Sequence, residues 1–186
     1  MSHDNNGVDL ASITAFADAA KADPAAAQVK FVARSEWKGG ARCDAHIAEF
    51  YANGQPASRP GRSFTLSMDE PPPMGGHDAH PNPGEMLAAA ICGCLTAGIA
   101  ANAALFGTEL ESIEVEAEVD WNLLGVLGID RSVPCGASGV HYTVRLKGKG
   151  SAEQLRRSKE TLDRKSAILN TLLAPIPVTS STVILD

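Results

Sequence analysis

An uncharged stretch of 21 residues, Met86 to Phe106, constrains the fold of this chain more than any other feature. It is long enough for a transmembrane helix, which needs about 20 apolar residues. Eight of its residues are alanine, two are glycine, and Asn102 interrupts the run. Because such small residues favour membrane insertion much less than leucine or phenylalanine do, we predict no membrane partner. The sequence instead predicts a helix buried in a soluble protein, with small side chains that let other backbones approach on every side.

The residues around this stretch mark where the helix begins and ends. Asn82 is a suitable N-cap, and Pro83 suits the first helical position because its missing N–H would be unpaired there anyway. Glu85, at the third position, can reach back to the cap. Gly107 is a natural stop. The sequence therefore predicts one long helix that starts with a capping box.

Hydrophobic periodicity predicts the other elements. Segments 110–121 and 140–147 alternate between apolar and polar residues, so we expect two antiparallel strands with an acidic face against a partly basic one. A helical pattern covers residues 8–27, with the helix itself ending near Asp23 and Pro24. A second helical pattern runs from Ser151 through Leu173. Shorter strands are predicted at 28–37, 42–51, 62–68 and 178–185. The order predicts an α+β fold with helices against antiparallel sheets, organised as an N-terminal helical extension (1–27) and a single domain (28–186).

Charge and cysteine content exclude several classes of protein. The net charge is -6, and lysine and arginine are scattered along the chain, so we expect no nucleic-acid partner. Four cysteines are too few for a disulfide scaffold, and the start MSHDNNGVDL lacks the features of a signal peptide, which favours a reduced cytoplasmic protein. His77 and His80 form a pair in a loop without further ligands at recognisable spacing, so we expect no metal site, and no cofactor is predicted.

Two cysteines, Cys92 and Cys94, lie inside the predicted helix. Residues two apart on a helix point about 200° away from each other, so this pair cannot close a disulfide without unwinding the turn. Both are interpreted first as small buried hydrophobic side chains. A reactive thiolate would need a cation from elsewhere in the fold, because the helix dipole fades within the first turn. The candidate cations are Arg42, Arg59 and Arg62.

The segment MGGHDAHPNPGEMLAAAICGCL (74–95), with KGGAR (38–42) before it and two alternating strands and a helix after it, resembles the OsmC/Ohr family of thiol-dependent hydroperoxide reductases. The resemblance covers roughly residues 28–186. It implies an intertwined homodimer in which antiparallel sheets wrap around long buried central helices, with active sites at the subunit interface. It also implies the reduction of small organic hydroperoxides. In that reaction a helix cysteine is oxidised to a sulfenic acid and condenses with a second cysteine.

The resemblance also implies roles for individual residues. The attacking cysteine matches Cys94, twelve residues after Asn82, and the arginine that favours its thiolate matches Arg42. The family glutamate falls on Gly84, with Glu85 one place later and rotated by about 100° on an ideal helix. Glu85 is therefore better explained as the capping residue, although it stays a candidate for the supporting carboxylate. Where the resolving cysteine should stand, this chain has Ser166, whose hydroxyl cannot form a disulfide.

Two hypotheses follow for the function. The first is a peroxidase in which Cys94 runs a one-cysteine cycle with an external thiol reductant, or in which Cys135 or Cys43 is recruited as resolving thiol. Cys135 lies in the loop SVPCGASG, whose composition suggests that it can move. The second is a non-catalytic dimeric scaffold or apolar-ligand-binding protein that keeps the buried pocket. The retained Cys94 favours the first.

Overall fold

The computed structural model describes residues 5–185; residues 1–4 of the predicted extension and Asp186 lie outside the described residues. The helices of the described part are α1 (Leu10–Ala22), α2 (Pro83–Leu105), α3 (Leu123–Val126), α4 (Ala152–Asp163) and α5 (Ala167–Leu173). The strands are β1 (Val29–Phe31), β2 (Arg34–Trp37), β3 (Cys43–Ile47), β4 (Phe50–Ala52), β5 (Gln55–Pro56), β6 (Phe64–Met68), β7 (Glu109–Asp120) and β8 (Gly139–Lys149). Short 3-10 turns lie at Asn5–Gly7, Pro24–Ala27 and Pro72–Met74.

The strands form three antiparallel sheets, with the orders β1-β4-β5, β2-β3-β6 and β7-β8. This confirms the predicted α+β class. The two strands predicted at 28–37 and 42–51 are each divided into two shorter ones. The reason is that each half serves a different sheet, since β1 pairs with β4 while β2 pairs with β3.

The predicted capping box starts α2. The backbone N–H of Glu85 donates to Oδ1 of Asn82 over 2.9 Å, and the backbone N–H of Asn82 donates to Oε2 of Glu85 over 2.8 Å. At the other end, Gly107 adopts a φ of 69°, a left-handed conformation that favours glycine and ends the helix. Both ends of the central helix were therefore predicted correctly from local residue chemistry.

The core lies where α2 crosses the β7–β8 sheet and the two C-terminal helices. Ile91, Leu95 and Ile99, spaced four residues apart on α2, are wholly buried and pack with Leu162 of α4 and Leu169 of α5. The inward side chains of the sheet cover this cluster, among them Ile113, Val115, Val119, Tyr142, Val144 and Leu146. The alternation predicted for the two long strands is thereby confirmed.

The outward face of the same sheet carries the predicted acidic and basic rows. Arg145 lies between Glu114 and Glu116, with Nη1 at 2.8 Å from Oε1 of Glu114. Nearer the end of the sheet, Nζ of Lys149 is 2.7 Å from Oε1 of Glu109. These pairs are exposed to water and salt, so each contributes little to stability. This face is a solvated surface.

Helix α2 is long and apolar enough to cross a membrane by length and composition alone, a test that the core helix of a soluble protein also passes. In the single chain it is buried along one face. The opposite face is an exposed stripe of small side chains, formed by Ala89, Ala90, Gly93, Thr96 and Ala97. The sequence predicts burial of α2 on every side, but within the single chain only one face of the helix is buried.

The strand predicted at 178–185 is wrong. Residues 175–185 have no regular secondary structure, and Val178, Val183, Ile184 and Leu185 are between 78% and 86% exposed. A strand needs a neighbouring edge for its backbone hydrogen bonds, and no strand within residues 5–185 pairs with this segment. Its alternating apolar sequence alone does not make it a strand.

Candidate functional site

The thiol of Cys94 meets the hydroxyl of Ser166 in the interior of the fold. Sγ of Cys94, midway along α2, lies 3.3 Å from Oγ of Ser166, which comes 72 residues later in the chain. Cys94 is half-buried and Ser166 is 1% exposed. The two positions that the family resemblance paired are therefore in direct contact.

Ser166 is held in place by hydrogen bonds of its side chain, its backbone N–H and its backbone carbonyl. It is the N-cap of α5, and its Oγ accepts a hydrogen bond from the backbone N–H of Leu169 over 3.3 Å. Its own N–H donates to the carbonyl of Leu162 at the end of α4, and its carbonyl accepts from the side-chain amide of Asn170. The turn between α4 and α5 therefore places the hydroxyl in a fixed position.

Contacts between α2 and α4 bring this turn against Cys94. Gly98 lies one turn beyond Cys94, and a Cβ added there would lie 2.5 Å from Cδ1 of Leu162. One turn further on, the side-chain amide of Asn102 donates to the backbone carbonyl of Ser158 over 3.0 Å. The missing side chain of Gly98 thus permits a close helix crossing, and Asn102 fixes α4 along it.

An apolar groove of about 540 Å³ lies between the start of β8 and α5, and neither Cys94 nor Ser166 is part of its lining. Leu169, whose N–H binds Ser166, is also one of its walls, together with Leu172 and Leu173 of the same helix. At its polar edge the hydroxyl of Tyr142 donates to Asp163 over 2.6 Å. Burial, together with that hydrogen bond, raises the pKa of Tyr142. The groove offers space for an apolar chain, and Leu169 connects it to Ser166.

Asp69 is a buried residue in the loop before α2 that sequence reasoning missed. It follows β6, is 1% exposed, and its carboxylate accepts hydrogen bonds from the backbone N–H groups of Glu70, His77 and Ala79. Burial alone would raise the pKa of Asp69, but these backbone donors outweigh it and hold the pKa below its usual range. The carboxylate thereby folds the loop that leads to Asn82. An acidic residue at a strand end before a loop rich in proline and glycine is the signal that was available.

The histidines of this loop do not form a metal centre in the described part of the chain. His77 contributes its backbone N–H to Asp69. Across residues 5–185, no group of three or more His, Cys, Asp or Glu side chains is arranged to hold a metal ion.

The other predicted site residues lie outside the Cys94 contact. Arg42 is in the exposed turn between β2 and β3, with Nη2 at 3.4 Å from the carbonyl of Lys38, and among the described residues it makes no hydrogen bond to Cys94. Glu85 uses its exposed carboxylate in the helix cap. Cys135 is exposed in the loop before β8, and it, Cys43, Cys92 and Cys94 are all free thiols. The roles of these residues stay predictions.

Of the alternative arginines, Arg62 contacts residues on and next to β4 and β6. Its guanidinium lies 4.9 Å from the ring centre of Phe64 and 5.7 Å from that of Phe50, and it donates to the carbonyl of Ala48. It therefore joins β4 to β6 and is engaged away from Cys94.

Comparison with known proteins identifies relatives of this fold. A family model described as OsmC-like protein matches residues 76–181, more than half of the chain. The fold is similar to that of an OsmC-like protein from Mycoplasma pneumoniae, with a TM-score of 0.56 and 11% identity over 78% of this chain and 87% of that one. An organic hydroperoxide resistance protein OsmC from Legionella pneumophila gives a TM-score of 0.52 and 15% identity over 77% and 88% of the two chains. An OsmC-like protein of unknown function from Vibrio cholerae gives 0.50 and 16% over 76% and 92%. No match was found among curated proteins.

Proposed function

The chain belongs to the OsmC-like protein family, and on that premise we propose that it reduces organic hydroperoxides through Cys94, with an external thiol completing the cycle. The observation that carries this proposal is the 3.3 Å contact between Sγ of Cys94 and Oγ of Ser166. A free, half-buried thiol faces a hydroxyl at the place where a second sulfur would otherwise resolve it. The description of the Legionella pneumophila relative as a hydroperoxide resistance protein supports the same substrate class.

The proposed cycle has three steps. The Cys94 thiolate attacks the outer oxygen of the hydroperoxide, the O–O bond breaks, and the products are a Cys94 sulfenic acid and an alkoxide, which takes up a proton to become the alcohol. An external thiol then attacks the sulfenic sulfur, releasing water and forming a mixed disulfide. A second external thiol attacks that disulfide, which regenerates Cys94 and releases the oxidised thiol pair. Two electrons pass from the two external thiols to the peroxide.

We propose further that the working unit is a cytoplasmic homodimer in which Arg42 of the partner subunit stands near Cys94. Two observations support this arrangement. The hairpin that carries Arg42 packs mainly against β6 within its own sheet and leaves Trp37 77% exposed, and Phe31 on β1 is 75% exposed. The small-residue stripe of α2 is also uncovered in the single chain. Two such surfaces in one chain suit an intertwined assembly of two copies.

The groove between β8 and α5 suits a substrate with an apolar chain, because Val140, Leu169, Leu172 and Leu173 form much of its wall. The same groove favours the second candidate function, the binding of an apolar ligand without redox turnover. The two differ in whether Cys94 is oxidised by a peroxide.

The test is to treat the reduced protein with one equivalent of cumene hydroperoxide and to map cysteine oxidation by mass spectrometry. We expect a sulfenic acid at Cys94 that an added small thiol reduces, loss of peroxide consumption in Cys94→Ser, and normal consumption in Cys135→Ser. If Cys94 stays reduced while the peroxide persists, the peroxidase proposal is wrong and the ligand-binding candidate is favoured. A Cys94–Cys135 disulfide in the unaltered protein would contradict the one-cysteine cycle.

A Ser166→Cys variant provides a matched comparison in the same experiment. Because Oγ of Ser166 already lies 3.3 Å from the Cys94 sulfur, a thiol at this position is expected to trap the sulfenic acid as an intramolecular disulfide, with the release of water. Peroxide would then consume two thiols per chain in this variant, and Cys94→Ser in the same background would abolish the bond.

A further inference from the structure

We infer that Ser166 is a positioning residue that stabilises the thiolate of Cys94 by donating its hydroxyl hydrogen to the sulfur. The inference deepens the proposed function and rests on the role proposed there for Cys94. In this inference Ser166 has a role of its own and does not merely replace the resolving cysteine.

The hydrogen-bond pattern around Ser166 fixes the direction of this donation. The distance between Cys94 and Ser166 alone allows either atom to be the donor. Oγ of Ser166, however, already accepts the N–H of Leu169, which directs that N–H at one of the oxygen lone pairs. The hydroxyl hydrogen then needs an acceptor of its own. Among the described residues the one hydrogen-bond partner left for it is Sγ of Cys94, and at 1% exposure the serine has almost no access to water.

A hydroxyl held in this way favours the ionised form of its partner. A neutral thiol is a weak acceptor, whereas a thiolate accepts a charge-assisted hydrogen bond that is roughly twice as strong as a neutral one. The donor is already oriented by α5, so little entropy is lost when the thiolate forms. Burial of Ser166 keeps competing water away and strengthens the bond further.

The effect matters for the reaction because the thiolate is the nucleophile. Within the described residues no cation is hydrogen-bonded to Cys94, so the hydroxyl is the polar group that this chain itself supplies to the sulfur. A serine also keeps its hydroxyl through each turnover, since it is not consumed by disulfide formation. The same hydroxyl is therefore present again whenever Cys94 returns to its reduced form.

The inference is tested by the pH dependence of Cys94 alkylation, without any peroxide. The rate constant for iodoacetamide at Cys94 is measured by peptide mass spectrometry from pH 5 to 10, with Cys92 on the same helix as internal reference. We expect Ser166→Ala to displace the Cys94 profile to higher pH and to lower the alkylation rate at neutral pH by up to about tenfold. Ser166→Thr, which keeps a hydroxyl and a cap, is expected to restore most of the rate.

Ser158→Ala is the matched control. Ser158 is the other wholly buried serine of this helical region, and its hydroxyl donates to the carbonyl of Gln154, away from any cysteine. Its removal is expected to leave the Cys94 profile in place. Because alanine at position 166 also removes the cap of α5, Ser166→Gly serves as a second variant without a hydroxyl, since glycine is a tolerated N-cap. The same shift is expected in both.

A Cys94 profile in Ser166→Ala or Ser166→Gly that coincides with that of the unaltered protein would overturn the inference, as would an equal shift in Ser158→Ala. Peroxide reduction is measured separately, so the two proposals fail independently. Loss of the alkylation shift refutes the role of Ser166 alone. An inert Cys94 under peroxide, with the shift intact, refutes the peroxidase proposal alone.

Discussion

At position 166 an oxygen atom stands where the family resemblance expects sulfur, and in the proposed reaction this atom determines how an oxidised Cys94 can be reduced. The hydroxyl touches the sulfur but cannot form a bond to it that a reductant would later break. Under the proposed cycle, the second half of the reaction therefore depends on a thiol from outside the chain. The turnover rate is then expected to rise with the concentration of that thiol.

A second residue-scale feature, the buried carboxylate of Asp69, leads to a prediction on acid stability. Backbone donors hold its pKa below the usual range in the folded chain, despite burial, whereas in the unfolded chain the pKa returns to about 4. Its stabilising contribution is therefore fully present above about pH 4 and is lost as the pH falls through the lower, folded value. We expect Asp69→Asn to lower the melting temperature by several degrees at pH 7, and by progressively less below pH 4.

Asp130→Asn provides the comparison for this experiment. Asp130 also has a lowered pKa, but its cause is hydrogen bonds from Ser132, two residues away in the same loop. Thermal unfolding of the two variants, followed by circular dichroism at several pH values, shows how the loss of each carboxylate changes the melting temperature. A difference in melting temperature between Asp69→Asn and the unaltered protein that stays the same from pH 7 to pH 3 would contradict the proposed role of the carboxylate.

At the scale of elements, the features predicted correctly are those that depend on neighbours in the sequence. The capping box at Asn82 and the alternation of β7 and β8 follow from local chemistry and period. The strand predicted at 178–185 has a suitable pattern, but no strand within residues 5–185 offers it an edge to pair with. Likewise, the division of the N-terminal strands between two sheets depends on partners far along the sequence.

The candidate site shows the same limit. Cys94 and Ser166 are 72 residues apart, and no periodicity or spacing brings them together. Only the resemblance to a family suggested that their positions correspond to a reacting pair. Asp69 was missed because its role comes from three backbone N–H groups of a folded loop, which the sequence does not display.

The crossing of α2 and α4 at Gly98 supports a prediction at this scale. A methyl group at Gly98 would overlap the buried side chain of Leu162, so Gly98→Ala is expected to reduce the free energy of unfolding by about 1–3 kcal/mol, despite the higher helix propensity of alanine. The measurement is urea unfolding at one fixed protein concentration, since association of the chain would also affect stability.

Leu162→Ala is the control for this crossing. It costs stability itself, by about 2–5 kcal/mol for a buried leucine, but it removes the side chain that the new methyl would strike. In that background Gly98→Ala is expected to be neutral or slightly stabilising. Equal effects of Gly98→Ala in both backgrounds would show that the contact with Leu162 is not the cause.

At the scale of the whole molecule, the proposed homodimer predicts complementation between two inactive variants. Cys94→Ser and Arg42→Ala are each expected to lose most peroxide reduction. If Arg42 of the partner subunit supports Cys94, a mixed dimer contains one site with both groups intact. Equal mixing with full exchange of subunits then gives about one quarter of the unaltered activity, because about half of the dimers are mixed and each has one working site.

Native mass spectrometry establishes that mixed dimers have formed, so the outcome does not depend on assumed exchange. Activity that stays at the level of the separate variants in a sample with mixed dimers would place Arg42 and Cys94 of the same chain together, or exclude Arg42 from the site. A protein that remains a single chain at all concentrations would contradict the dimer itself.

The exposed segment after α5 is relevant to the folding and assembly of the protein. Residues 175–185 find no pairing edge among the described residues 5–185, so in the proposed dimer such an edge would have to come from the second chain. Refolding would then contain a bimolecular phase whose rate rises with chain concentration, preceded by a single-chain intermediate with an apolar end open to proteases. The yield of functional protein would thus depend on how soon two newly made chains meet.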